Sequence, residues 1–135
     1  MLKKVRLMVV VLLLFVSVSA TWGGIMLVID PSGQKMQMPL SFLEKSPFEN
    51  YLIPGIILLF MNGLMNLVAV ALLLKNHVFY PWLVMFQGVV LSVWIIAQIH
   101  LLQIFYAPLH LPYFILGILL FFLGFYFKKV TKNRL

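Results

Sequence analysis

Four long stretches of the chain are almost free of polar side chains, and short clusters of charge, proline and aromatic residues separate them. The first, Leu7 to Ile29, runs 23 residues without a charge. At about 1.5 Å per residue that length crosses about 30 Å of hydrocarbon, so it predicts a helix over about 7–29. Asp30-Pro31-Ser32-Gly33 ends the run with Asp, Pro and Gly at the positions a type I turn favours. The stretch up to residue 46 holds Pro39, the alternating Met36-Gln37-Met38 and the apolar set Leu40, Phe42 and Leu43. It is too polar to span and too apolar to float free. The expectation is an outer loop, 30–46, lying on the membrane surface over the helix ends.

Ser46-Pro47-Phe48-Glu49 reads as the opening of a second helix over about 47–74, with Ser at the N-cap, Pro at N1 and Glu at N3. Inside it Pro54 removes the bond to the carbonyl of Asn50, which predicts a kink within the first two turns. The alternative is a helix that simply starts after Pro54. Lys75-Asn76-His77 closes this helix, and Tyr80-Pro81-Trp82 opens a third, over about 81–105, with rings suited to a water interface. Pro108, His110 and Pro112 mark a short connection to a fourth helix over about 111–127, at the lower limit of a span. The predicted fold is all-α: a four-transmembrane-helix bundle, N-in and C-in, forming a single integral membrane domain, 1–135.

Composition excludes a soluble domain. The chain is 64% hydrophobic and 10% charged, whereas soluble domains are about 45–50% apolar and about 25% charged. The net charge of +7 would suggest nucleic acid in a soluble protein, but its placement suggests orientation instead. Lys3, Lys4, Arg6, Lys75, Lys128, Lys129, Lys132 and Arg134, eight of the ten basic residues, share one side of an even-span topology. That is the positive-inside asymmetry, and it predicts cytoplasmic termini in a bacterial inner membrane, with the basic ends on anionic headgroups. Asp30, Glu44 and Glu49, the three acids, fall on the other side. The absence of cysteine removes disulfide, thiol-redox and cysteine–metal chemistry. A cleaved signal peptide competes with the first span, with Lys3, Lys4 and Arg6 as n-region, Leu7 to Val16 as h-region and Val18-Ser19-Ala20 as cleavage site. The apolar run continuing through Trp22 to Ile29 favours a retained helix.

Lipid tails are as apolar as leucine, so the helices must associate by close packing and hydrogen bonding. Ser17, Thr21 and Gly24 share a face of the first helix, and Gly55, Asn62, Asn66 and Ala69 share one of the second. Gly117 and Gly124 share one of the fourth. These are predicted packing seams. On the third helix Gln87 and Gln98 lie about three turns apart on one face, placed to meet Asn62 and Asn66 as interhelical glue or as the lining of a polar cavity. At the outer face Asp30, Glu44, Glu49, His100 and His110 gather with Tyr51, Tyr106 and Tyr113. Carboxylates and imidazoles near one another could bind a divalent metal or exchange protons; because no metal-ligand spacing is present, interfacial anchoring is the expected role and no metal is assigned. No charged residue lies in the central turns of any span, unlike proton-coupled exporters. No Ser–His pair, HExxH or phosphate-binding glycine loop occurs either, so no catalytic residue and no cofactor is expected.

Gly23-Gly24 near the end of the first helix, the Asp30-Pro31 turn and Leu52-Ile53-Pro54-Gly55 in the second resemble the layout of DoxX-like small bacterial membrane proteins. That resemblance covers helices 1 to 3 in order and spacing and implies a four-helix bundle, some members of the family serving as membrane subunits of redox complexes. It carries no functional residue across. The functional expectation is a non-enzymatic accessory or scaffold subunit acting through lateral helix packing, with the lipid bilayer, a membrane-protein partner or further copies of itself as partners and no nucleic acid. The alternative is a carrier for a small apolar or amphipathic ligand entering from the outer leaflet, bound by Trp94, Gln98, His100 and Gln103. A homo-oligomeric pore is a third reading.

Overall fold

The computed structural model describes residues 2–102 and 105–132. Four helices, each long and apolar enough to cross a membrane, make up most of it: α1 (Leu2–Ile29), α2 (Leu52–Leu74), α3 (Tyr80–Leu102) and α4 (Ala107–Lys132). No strand occurs among the described residues. α1 begins at Leu2 rather than at Leu7, because Lys and Arg can lay their stems along an apolar surface and keep their charges in water.

α2 begins at Leu52 and not at Pro47. Ser46 caps no helix; its Oγ accepts from the Phe48 N–H at 3.2 Å and donates to the Leu43 carbonyl at 2.9 Å, closing a turn within the loop. Asn50 opens the helix instead, its Oδ1 accepting from the Leu52 N–H at 3.0 Å. Pro54 is then the third helical residue, where the N–H is an orphan in any case, so the lost bond that would have caused a kink never existed. The irregularity lies further along, where a π-helical stretch, Leu58–Leu64, separates α-helical Leu52–Ile57 from Met65–Leu74.

α4 also exceeds its expected range of 111–127, taking in Pro108 and Pro112 at its start. Pro108 is the second helical residue, where no hydrogen bond is lost. Just behind it the Nδ1 of His110 accepts from the Tyr106 N–H at 2.9 Å, satisfying one of the free donors of the first turn.

The helices run alternately up and down. Val9 and Leu13 from the start of α1 share a buried cluster with Ala69, Val70 and Leu73 from the end of α2, Tyr80 and Val84 from the start of α3, and Leu120 and Phe127 from the end of α4. Both described chain ends therefore lie beside Lys75, at a basic end, and the 30–51 loop lies at the opposite, cap end. Contacts concentrate within two hairpins, α1–α2 and α3–α4. In the first, a Cβ added to Gly24 would stand 2.9 Å from the Leu59 Cα; in the second, one added to Gly88 would stand 2.6 Å from the Gly117 carbonyl oxygen. The hairpins meet each other mainly through side chains.

At the basic end one side chain ties three helices. The Arg6 guanidinium donates to the Leu73 carbonyl and lies 5.3 Å from the centroid of the Tyr80 ring. It answers one of the carbonyls left open at the end of α2 and complements the negative end of the helix dipole. Tyr80 in turn meets Phe127 edge-on, with ring centroids 5.3 Å apart.

Candidate functional site

The interior of the bundle carries a polar layer near its middle. Asn62 and Asn66 project inward from α2 and Gln87 from α3, each only 1% exposed. Ser17 of α1 is equally buried and donates to the Gly63 carbonyl at 2.9 Å. Asn62 lies in the π-helical stretch and Asn66 follows directly behind it. The Nδ2 of Asn66 donates to the Asn62 carbonyl at 2.6 Å. The layer's height follows from its neighbours. Gln87 lies one turn from Val84 and Asn66 one turn from Ala69 and Val70, and those residues share the basic-end cluster. Ser17 follows Val16, which packs with Leu91 and Ile95 in the cluster on the other side of the layer.

Five buried atoms of this layer have no hydrogen-bond partner: Nδ2 and Oδ1 of Asn62, Oδ1 of Asn66, and Nε2 and Oε1 of Gln87. The expected interhelical amide bonds therefore do not form; the one amide bond made is local, within α2. Unpaired amides in an apolar interior cost on the order of 1–3 kcal/mol each. π-helical turns within α-helices are frequently functional, and here one sits where two carbonyls receive side-chain donors and two amides face inward. Donors and acceptors are both present and no charge is, which suits an uncharged polar group.

The small residues chosen from sequence lie inside the hairpins. Thr21 meets Gly63, Gly55 meets Leu27, Gly117 meets Ser92, and Gly124 meets Met85. The ligand set chosen from sequence does not come together in the same way. Trp94 packs against Val16, Leu91 and Ile95. Gln98, one turn on, is half-buried, whereas His100 is exposed and about 200° further round the helix than Gln98. Gln103 lies outside the described residues.

At the cap end the loop is folded into its own small core. Leu27, Leu43 and Tyr51 are buried together, with Met36, Met38 and Phe48 around them. The Tyr51 hydroxyl donates to the Pro39 carbonyl at 2.9 Å and its N–H to the Pro31 carbonyl at 2.9 Å; burial pushes the phenol's pKa up. The turn at Asp30 has its Gly33 N–H to Asp30 carbonyl bond at 3.0 Å. Gly33 holds φ 80°, and a Cβ there would collide with the Met38 carbonyl and the Tyr51 ring. Sequence reasoning missed this core; the signal was Tyr51, an aromatic residue isolated between polar positions and the next span.

The Asp30 carboxylate accepts from the Ser32 hydroxyl at 2.5 Å and the Lys35 N–H at 3.1 Å. Those bonds, the hydroxyl first, hold its pKa below 3.8. A lowered carboxylate pKa stabilises the fold fully above the unfolded value and less as pH falls through the folded one. The cap should therefore keep this contribution at neutral pH and lose it progressively in acid, as pH falls past the ordinary carboxylate range toward the lowered folded value. Asp30→Ala is expected to speed amide hydrogen exchange across residues 33–38 at neutral pH and leave the spans protected; unchanged exchange in the loop would contradict this role. Among the described residues, no three His, Asp or Glu side chains converge as a metal site would require. Asp30 is occupied by its own turn, and the His110 Nδ1 by the Tyr106 N–H.

No protein-family model, curated protein or solved structure matches the chain.

Proposed function

We propose that the protein is a non-enzymatic accessory or scaffold subunit of a bacterial inner membrane, with both termini cytoplasmic, acting through lateral contacts in the bilayer. One observation carries this reading: the small and polar side chains are turned into the two hairpins, and large apolar residues such as Trp22, Phe60, Phe86 and Phe122 are left facing outward. That outward surface has the chemistry of contact. The cap, packed on Leu27, Leu43 and Tyr51, adds a surface at the other end, and the basic end supplies orientation. The resemblance in layout to DoxX-like proteins, some of which serve as membrane subunits of redox complexes, points the same way.

The test is crosslinking in native membranes with a photoreactive residue at Trp22 or Phe60. The expected result is a defined adduct with a membrane protein or a second copy of the chain. A protein that stays strictly monomeric from both positions would overturn the proposal.

A second reading, a carrier for a small amphipathic molecule, is favoured by the five unpartnered amide atoms. In this reading the amide layer, rather than Trp94, Gln98, His100 and Gln103, receives the ligand's polar group. Its mark would be an uncharged ligand that raises the thermal midpoint of the protein and does so less in Gln87→Leu.

A further inference from the structure

We infer that the mouth of the α2–α3 connection is a binding site for an anionic phospholipid. A groove of about 280 Å³ opens there, lined by Leu72, Phe79, Trp82, Leu83 and Phe86. Phe79, Trp82 and Phe86 are exposed, so the groove faces the bilayer. Its rim is cationic. The Lys128 ammonium of α4 sits 4.2 Å from the centroid of the Trp82 ring, held there by cation–π attraction. Lys75, exposed and three residues beyond Leu72, stands on the other wall. His77 follows in the connection, its N–H donating to the carbonyl of the groove-lining Leu72 at 3.0 Å and its ring 5.4 Å from that of Phe79. Its Nδ1 accepts from the Phe79 N–H at 3.2 Å, so in the neutral ring Nε2 carries the proton and is the donor.

These parts match the two halves of a lipid. An acyl chain lies along Leu72, Leu83 and Phe86, and the phosphate meets Lys75, His77 and Lys128. Trp82 stands at the junction, where interfacial tryptophans are found. All three acids of the chain fall between residues 30 and 49, in and beside the loop of the cap end, so no acidic side chain stands at this rim to repel an anion. A zwitterionic lipid offers the same chain but brings its own cation, and basic pockets between spans select anionic headgroups on this ground.

The test uses Trp82 as the only tryptophan, in a Trp22→Phe, Trp94→Phe background reconstituted into phosphatidylcholine nanodiscs. Brominated phosphatidylglycerol should quench Trp82 at a mole fraction about fivefold or more below that needed for brominated phosphatidylcholine. Lys75→Gln with Lys128→Gln should abolish the difference. Lys129→Gln should preserve it, because the Lys129 ammonium sits 5.2 Å from the centroid of Phe125, which does not line the groove, and not over Trp82. Equal quenching by the two lipids would overturn the proposal. So would loss of the preference in Lys129→Gln as complete as in the double variant, which would show general surface charge. A second measurement needs no charge variant: unbrominated phosphatidylglycerol should displace brominated phosphatidylcholine from Trp82 with the same preference, and failure to do so overturns the site.

Discussion

Replacing Gly88 with alanine should break the α3–α4 hairpin open, whereas the same change at Gly23 should be harmless. A Cβ at position 88 would lie 2.5 Å from the Phe121 nitrogen, 2.6 Å from the Gly117 oxygen and 3.0 Å from the Phe121 Cα. All three are backbone atoms, so relief requires the helices to separate. Overpacking of this kind costs typically about 1–3 kcal/mol, and close backbone approach is what membrane helices use in place of a hydrophobic drive. At Gly23 the nearest atoms would be the Leu58 Cδ2 at 3.4 Å and the Met36 Cε at 3.9 Å, ordinary contacts with flexible side chains. There alanine gains up to about 1 kcal/mol of helix propensity. Unfolding by sodium dodecyl sulfate, followed by circular dichroism, should separate the two variants in opposite directions from the parent. Coincident curves would show that the hairpin is not closed at Gly88.

Gln87→Leu should make the protein more stable. Truncating a buried hydrogen-bonded amide normally costs stability, but the Gln87 Nε2 and Oε1 have no partner to lose. Leucine keeps most of the volume and removes the desolvation penalty, for a gain on the order of 1 kcal/mol. Asn66→Leu should gain less or nothing, because it removes the bond to the Asn62 carbonyl within the π-helical stretch along with the unpartnered Oδ1. The same detergent titration reads both. A loss of stability in Gln87→Leu would mean that the amide is bonded across the bundle, as the sequence suggested. A gain would mean that the amide is retained at some expense in stability, as residues kept for function often are.

Which features the sequence revealed follows from the physics that sets each. The four spans were legible because a hydrocarbon layer demands about 20 apolar residues in a row, and Leu7 to Ile29 is such a run. The start of α2 was not, because Ser46-Pro47-Phe48-Glu49 satisfies a helix N-terminus and a free turn equally well. Ser46 binds the Phe48 N–H in the turn, and only tertiary context decides. Proline misled twice: at Pro54 and Pro108 the deciding fact is the distance from the helix start, which the sequence places only to within a few residues. The π-helical stretch was not read from the sequence; it lies where α2 packs closely on α1 at Gly24 and Thr21, a contact that belongs to the folded hairpin. Asn62, Asn66 and Gln87 were recognisable as inward-facing by their spacing; that they would find no partners was not, because spacing fixes a face and not a side-chain geometry. The lipid groove joins Trp82 to Lys128, 46 positions along the chain, a pairing only the folded bundle makes.

The account rests on four spans with every basic cluster on one side and the capped loop on the other. The chain has no cysteine, so single cysteines can be placed without background at Lys3, Gln34, Lys75 and Lys129, all exposed, and tested with a membrane-impermeant maleimide on intact cells. The prediction is labelling at position 34 from outside, and at 3, 75 and 129 only after the membrane is opened. Labelling of position 75 from outside, or of 3 and 34 from the same side, would contradict it.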